Sequence, residues 1–349
     1  MTMATLPAST TPASTTASNS AHDRAAAIRS MFSALRVPVL AAPMFLVSSP
    51  ELLIACCRAG VIGSLPAPNA RTTEILADWL QQIRAAFDTA RSRGEQPAPW
   101  LFNMIVHSSY DRFDRETALL LEFQPPIVST ALGSPGRVRD LVHGYGGALI
   151  ADVITPTMAR KAVDAGVDGL ILVCNGAGGH TGVYNPFAFV AEVRKFWKGP
   201  LGLAGALSHG RDIHAAQVIG ADFAVIGTRF IAATESMASD AYRDMLVQCA
   251  VDDLVPTKAV SGVLANWMRP SLELAGIDPA SENKAAIDFS GNIASANKAW
   301  KDVWSAGQGV GQIESHYTTA ELVDQLEQDY RDSLAHPVRP STATAGVSS

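Results

Sequence analysis

LILVCNGAGGHTG, residues 170–182, is the stretch that decides the fold. Its first four residues, Leu170 to Val173, are an apolar run of the kind parallel strands carry when both of their faces are covered. The run ends abruptly in four glycines, Gly176, Gly178, Gly179 and Gly182, with His180 among them. A glycine-dense loop directly after a buried strand is where α/β proteins let backbone approach a ligand. A histidine in such a loop is a side chain that titrates near neutral pH.

Short apolar runs alternate with helical patterns on both sides of this stretch. Strands are read at 37–42, 61–65, 100–106, 127–129, 149–153, 170–173, 201–204 and 224–226. Helices are read at 50–58, 73–93, 115–123, 136–145, 156–165, 186–195 and from His209 or Gly210 to Ile219. Ser48 or Ser49 before Pro50, and Thr72 or Thr73, suit helix N-termini. Eight βα steps match a parallel (β/α)8 barrel. A doubly wound open sheet is the alternative; the count of eight, with Gly or Pro after most strands, favours the barrel. Residues 237–297 lose the alternation and carry Pro256, Pro270 and Pro279. They read as a helical insertion beside a barrel made of 26–236 and 298–336, with a last helix at 319–335. Residues 1–25 read as a disordered leader, because the first 22 are mostly Ser, Thr, Ala and Pro with no charged residue before Asp23. They lack the basic start and apolar block of a secretory signal. Residues 337–349 read as a flexible tail.

The chain has 349 residues, 48% of them hydrophobic, enough for a sizeable core. With a net charge of −6 and no basic stripe, nucleic acid is excluded as a partner. Cys56, Cys57, Cys174 and Cys249 form no CxxC or Cys/His ligand spacing, so neither zinc nor a disulfide framework is expected and a reducing, cytoplasmic setting fits. No apolar run reaches the ~18 residues of a transmembrane helix.

In such a barrel the chemistry lies at the C-terminal ends of the strands. Ala42, Pro43 and Met44 follow the first strand, Asn103 lies in the third and Asp152 at the end of the fifth. Gly178-Gly179, Gly205-Ala206 and Gly227-Thr228 put small residues and free backbone N–H groups at three neighbouring strand ends. Such groups bind a phosphate without Lys or Arg, and Thr228 adds a hydroxyl donor. The structural alternative is that these glycines only permit tight turns. His180 reads either as a solvated loop histidine or as a neutral imidazole able to take a proton from a carbon acid. His143, His209, His214 and His316 read as solvated. Asp152 is either a ligand's hydrogen-bond partner or a cap on the next turn. Met44 is core or a soft apolar surface under a planar ring, and Trp300 and Trp304 roof a pocket or pack the last helix. No nucleophile elbow and no dinucleotide fingerprint is present.

On five stretches the chain resembles the nitronate monooxygenase (2-nitropropane dioxygenase) family of FMN-dependent TIM barrels. These are VPVLAAPM at 37–44, NGAGGHTG at 175–182, GALSHGRD at 205–212, GADFAVIGTRF at 220–230 and WSAGQG at 304–309. The resemblance implies noncovalent FMN, its phosphate on Gly178, Gly179, Gly205, Ala206, Gly227 and Thr228. It implies a ring over Ala42, Pro43 and Met44, with Asn103 near the polar edge. His180 matches the family's base, which deprotonates a nitroalkane or orients a nitronate; O2 is the oxidant, and the products are a carbonyl compound and nitrite. Two departures stand out. Gly176 precedes Ala177 where relatives often carry an acid or amide, and Asp152 replaces their Lys or Gln. A cation at the flavin N1–C2=O edge would stabilise the reduced ring and a carboxylate would not, so Asp152 is turned away, neutral, or part of a site with a different flavin potential. Two other chemistries stay open: an FMN-dependent NAD(P)H:quinone or enoyl-thioester reductase, and a sugar-phosphate isomerase or aldolase barrel. The latter needs a Lys or paired acid at the strand ends, whereas Lys161 and Lys195 fall on helices. The expected partners are a small nitronate or nitroalkane and O2, with no membrane, and the chain working as a monomer or homodimer.

Overall fold

Eight apolar runs become eight parallel strands, each returned to its neighbour by a helix laid on the outside. The computed structural model describes residues 21–281 and 303–336. Most of the leader (1–20), the tail (337–349), Trp300 and the last part of the expected insertion lie outside the described residues. The alternation runs β1 Val39–Ala41, α2 Pro50–Ala59, β2 Gly63–Pro66, α3 Thr73–Ser92, β3 Trp100–Ile105, α4 Phe113–Phe123, β4 Ile127–Ala131 and α5 Gly136–Gly144. It continues through β5 Ala148–Val153, α6 Pro156–Asp164, β6 Gly169–Val173, α7 Pro186–Arg194, β8 Leu201–Ala204, α8 Gly210–Val218, β9 Phe223–Ile226 and the short α9 Thr228–Ile231. A two-residue strand, β7 Gly179–His180, interrupts the loop after β6. The large sheet has the order β1-β9-β8-β6-β5-β4-β3-β2. A parallel bridge between Leu40 and Ile62 closes it, with Ala41 N donating to Ile62 O at 2.8 Å and Ile62 N to Val39 O at 3.0 Å. The closed ring excludes the doubly wound alternative.

Period-two alternation sorts the strand residues. Leu40, Ile62, Leu101, Ile127, Ile150, Ile171, Phe223 and Val225 fill the interior. Their neighbours, such as Phe102, Leu149, Leu170 and Leu172, face the helices. Helix starts are fixed by side-chain caps: Ser49 accepts from Leu52 N, Thr72 from Ile75 N, and Thr155 from Met158 N. The last helix, α12 Thr319–Ala335, starts with a reciprocal Thr318–Glu321 capping box.

Helix α1, Ala21–Ser33, plugs the N-terminal end of the barrel. Ile28 and Phe32 are buried, and Phe32 stacks on Phe223 with ring centroids 3.8 Å apart. Arg24 Nε donates to Asp168 Oδ1 at 2.8 Å, and Arg29 Nε to Asp222 Oδ1 at 3.0 Å. Residues 21–25 therefore belong to this helix rather than to a leader. The i,i+4 pair Ile28 and Phe32 supplies a narrow apolar stripe that acquires meaning only when docked.

Among its described residues, the region read as a helical insertion holds two helices, α10 Asp240–Gln248 and α11 Arg269–Leu274, with a hairpin between them. Its strands, β10 Leu254–Thr257 and β11 Ala265–Met268, pair antiparallel, and β11 pairs in turn with β7. Pro256, read as a helix break, sits on the edge strand β10, where a missing N–H costs no ladder bond. A four-residue strand such as β11, whose residue Ala265 pairs with His180 85 positions earlier, leaves little local signal.

Candidate active site

One step above the apolar interior, the inward positions of β2 to β5 turn polar: Ser64, Asn103, Ser129 and Asp152. Ser64 Oγ donates to Ala41 O at 2.6 Å, and Asn103 Nδ2 to Ser129 Oγ at 2.8 Å, both away from water. Asp152 differs. Its Oδ1 is buried and has no hydrogen-bond partner among the described residues. Desolvation raises its pKa to about 7, so the neutral acid is heavily populated at pH 7. It does not cap the next helix, which Thr155 does. Asp152 is thus turned inward, toward the barrel mouth, with a carboxyl group that is easily neutralised.

The first strand's loop is held from the neighbouring strand end. Asn69 Nδ2 donates to Met44 O at 2.9 Å and to Ser48 O at 2.8 Å, while its Oδ1 accepts from Leu46 N at 3.0 Å. This holds Leu46 in a left-handed conformation (φ 58°) and fixes Ala42, Pro43 and Met44 as a surface beside Gly227. A Cβ added at Gly227 would lie 3.5 Å from Ala42 Cβ and from Met44 Sδ.

The remaining glycine sites converge with a segment far along the chain. Gly176 O accepts from Ala206 N at 3.2 Å and from Gln308 N at 2.9 Å. Gly307 N donates to Thr228 Oγ1 at 2.9 Å. A Cβ at Gly178 would come within 2.6 Å of Gly307 N, so only glycine admits that approach. Gly205 (φ 127°) is followed by Ala206 (φ 59°), a left-handed alanine, which is strained for a residue with a Cβ. Gly179 pairs with Asn266 on β11 instead of lying beside Gly307. The structure therefore brings Gly178, Gly205, Ala206 and Thr228 together around Gly176 and Gly307. Gly227 sits against Ala42 and Met44, and Gly179 lies on the hairpin side.

His180 is held by register with Ala265 and is exposed. Its Nε2 lies 3.5 Å from Ser261 Oγ at the hairpin tip. The surrounding walls partly desolvate the ring, which lowers its pKa and keeps the imidazole neutral at pH 7. Three of the histidines read as solvated have partners instead. His143 Nε2 meets Asp168 Oδ2 at 2.8 Å, His209 Nε2 meets Gln312 Oε1 at 2.7 Å, and His316 Nε2 meets Asp244 Oδ1 at 3.1 Å. Trp304 stacks on Tyr242 at 5.2 Å, ordinary packing rather than a roof. Arg229 is buried, bonded to Tyr317, Ser208 and Gln325. The described residues contain no group of His, Cys, Asp or Glu able to hold a metal ion, and no helix long and apolar enough to cross a membrane.

Ser129 and Asn266 are site residues that reading the sequence did not single out, while Asn69 and Gly307 lay in stretches it noted without assigning them a role. An Asn inside the apolar run Ala265–Met268 was the available signal, since Asn is depleted in strands.

The family model for nitronate monooxygenase matches residues 27–329. The nitronate monooxygenase of Paraburkholderia phytofirmans is 30% identical over 345 residues, covering 85% of this chain and 93% of that protein. Among solved structures, the nitroalkane oxidase of Streptomyces ansochromogenes superposes with a TM-score of 0.75 at 22% identity, covering 88% of this chain and 99% of that one. FabK of Thermotoga maritima gives 0.71 at 21% identity, covering 88% and 97%. At those identities the two structures speak for the shared barrel.

Proposed function

The chain belongs to the nitronate monooxygenase family of flavin-dependent oxidoreductases, and on that premise we propose that it oxidises alkyl nitronates, and the nitroalkanes they come from, with O2 to carbonyl compounds and nitrite. The observation that carries this reading is His180, a neutral imidazole tied by strand pairing at the barrel mouth. A base that stays unprotonated at pH 7 and is held in place is what removal of a proton from the carbon next to a nitro group requires.

The flavin is FMN in this reading, and two observations support the fit. Gly205 and Ala206, both at positive φ, bend the backbone sharply at the strand end beside Thr228, whose hydroxyl can donate to a phosphate. The buried, unpartnered Oδ1 of Asp152 calls for a polar partner that a ring edge would supply. Gly178, Gly205, Ala206 and Thr228 would hold the phosphate, with Gly227 beside the ring and Gly179 on the hairpin side. Ala42, Pro43 and Met44 would form the floor under the ring, and Asn103 and Asp152 would meet its polar edge. Bound there, FMN supplies a redox-active ring that accepts electrons from the substrate and hands them to O2. His180 accepts the α-proton of a neutral nitroalkane and then holds it as a cation, which favours the anionic nitronate beside it. In its protonated form Asp152 adds no negative charge against that anion. The protein works in the cytoplasm as a monomer or homodimer.

The test is an absorption spectrum of the purified protein, then anaerobic titration with a nitronate and with NADH. A yellow protein bleached by the nitronate, releasing nitrite once air is admitted, is the expected result. A protein that takes up no FMN sinks the cofactor assignment; bleaching by NADH but not by nitronate makes it a reductase instead.

A further inference from the structure

His180's short strand β7 lies against strand β11 of the hairpin. Asn266 is buried, and its Nδ2 donates to Asn175 O at 2.9 Å and to Ala177 O at 2.7 Å. Its backbone lies in register with Gly179, and its neighbour Ala265 in register with His180. One residue on, Thr181 N donates to Leu264 O at 3.1 Å. A primary amide carries two N–H donors, and here both are spent on carbonyls two residues apart in the same loop. Asp offers no donor when ionised, Leu none, and Ser only one. Among the described residues, the two-residue β7 pairs with β11 alone, at the edge of the small sheet. The loop has further ties: Asn175 N on Tyr184 O, Ala177 N on Cys174 O, Ala206 N and Gln308 N on Gly176 O, and Thr181 Oγ1 on Cys174 O at 2.8 Å.

We propose that Asn266 is the positioning residue for His180: by clamping the carbonyls of Asn175 and Ala177 while pairing with Gly179, it fixes where the imidazole stands over the barrel mouth. The assignment rests on the reading of His180 as the base. It also gives the hairpin a task within the active site.

The test compares a neutral nitroalkane with its preformed nitronate, using FMN-loaded protein. Only the nitroalkane needs its proton removed, so their ratio of kcat/KM isolates the base from flavin loading and from fold stability. Asn266→Leu should lose roughly tenfold more activity on the nitroalkane than on the nitronate, the order expected for a catalytic group displaced by about an ångström. The kinetic pKa of the base should rise toward that of free histidine as the wall around it loosens. The milder Asn266→Ser, which keeps one donor, should show the same bias at smaller amplitude and keeps the test standing if the Leu variant does not fold. Equal loss on both substrates with an unmoved pH profile, or no loss, overturns the proposal. A wild-type protein inactive on both substrates, or a fully active His180→Asn, would instead overturn the functional reading beneath it.

Discussion

At the foot of the barrel Asp168 is buried with every oxygen engaged: Oδ1 accepts from Arg24, and Oδ2 from His143 Nε2 and Leu149 N. At the mouth, Asp152 Oδ1 is buried with no partner among the described residues. Both acids are near the ends of adjacent strands, β5 and β6, yet the protein treats them oppositely. A satisfied buried carboxylate is part of the scaffold, and an unsatisfied one destabilises it unless something else arrives to bond it. The contrast follows the barrel's division of labour, stability at the N-terminal face and chemistry at the C-terminal face.

The sharpest way to break that contrast is His180→Asn. Loss of a general base should lower nitroalkane turnover by roughly 10² to 10⁴, while the unfolding midpoint and FMN affinity stay where they are. A variant that lost stability along with activity would make the mouth part of the scaffold after all. The mirror experiment is Asp168→Ala. Removing one member of a buried charge cluster strands Arg24 and His143, and should cost about 3–5 kcal/mol in urea unfolding. The surviving folded protein should turn over nitronate at the wild-type rate. Lower turnover per folded molecule would show that the plug and the mouth are coupled.

Asp152 makes the next prediction, on pH. Burial raises its carboxyl group from the ordinary 3.8 of an aspartate to about 7 in the fold. Between those values the folded chain binds more protons at this site than the unfolded chain does. The contribution of this group is therefore fully present below pH 4 and lost as pH rises through 7, by about 4 kcal/mol at most. Asp152→Asn should remove that slope from the flavin-free protein, leaving the descent at acid pH that other groups cause. An unchanged slope between pH 5 and 8 would mean that Asp152 is ionised and has a bonding partner in the fold.

Much of this architecture was legible because it rests on local alternation. The strands at 201–204 and the helix at 319–335 fall where the pattern put them, and the others shift by a few residues at their ends. The grouping of Gly205, Ala206 and Thr228 followed from strand order alone. What escaped reading depends on contacts distant in sequence. Helix α1 becomes definable only through Phe32 on Phe223, and hairpin β10–β11 only through β7. Asn266 looks like a blemish in an apolar strand until the two carbonyls it bonds are known. The resemblance flagged Asp152 as a departure, but whether it turned inward depended on strand register. Gly179, grouped with the phosphate site from its spacing, lies by pairing on the hairpin side.

The smallest predicted effect tests whether the polar half of the mouth is one network or several separate groups. Ser129 is fully buried and accepts from Asn103 Nδ2 at 2.8 Å, one strand over from Asp152. Ser129→Ala strands that amide donor, which should cost about 1–3 kcal/mol. Neither Asn103 nor Ser129 titrates, so if they stand apart from Asp152 the loss is equal at pH 5 and pH 8. A larger loss at pH 5 would mean that the protonated carboxyl group and the amide share partners. Asp152 would then be one end of a chain of bonds already satisfied within the protein, and its unpartnered Oδ1 would stop pointing to a ligand. An equal loss keeps Asn103–Ser129 with the scaffold, like Asp168, and leaves Asp152 as the side chain of that wall reserved for what the mouth binds.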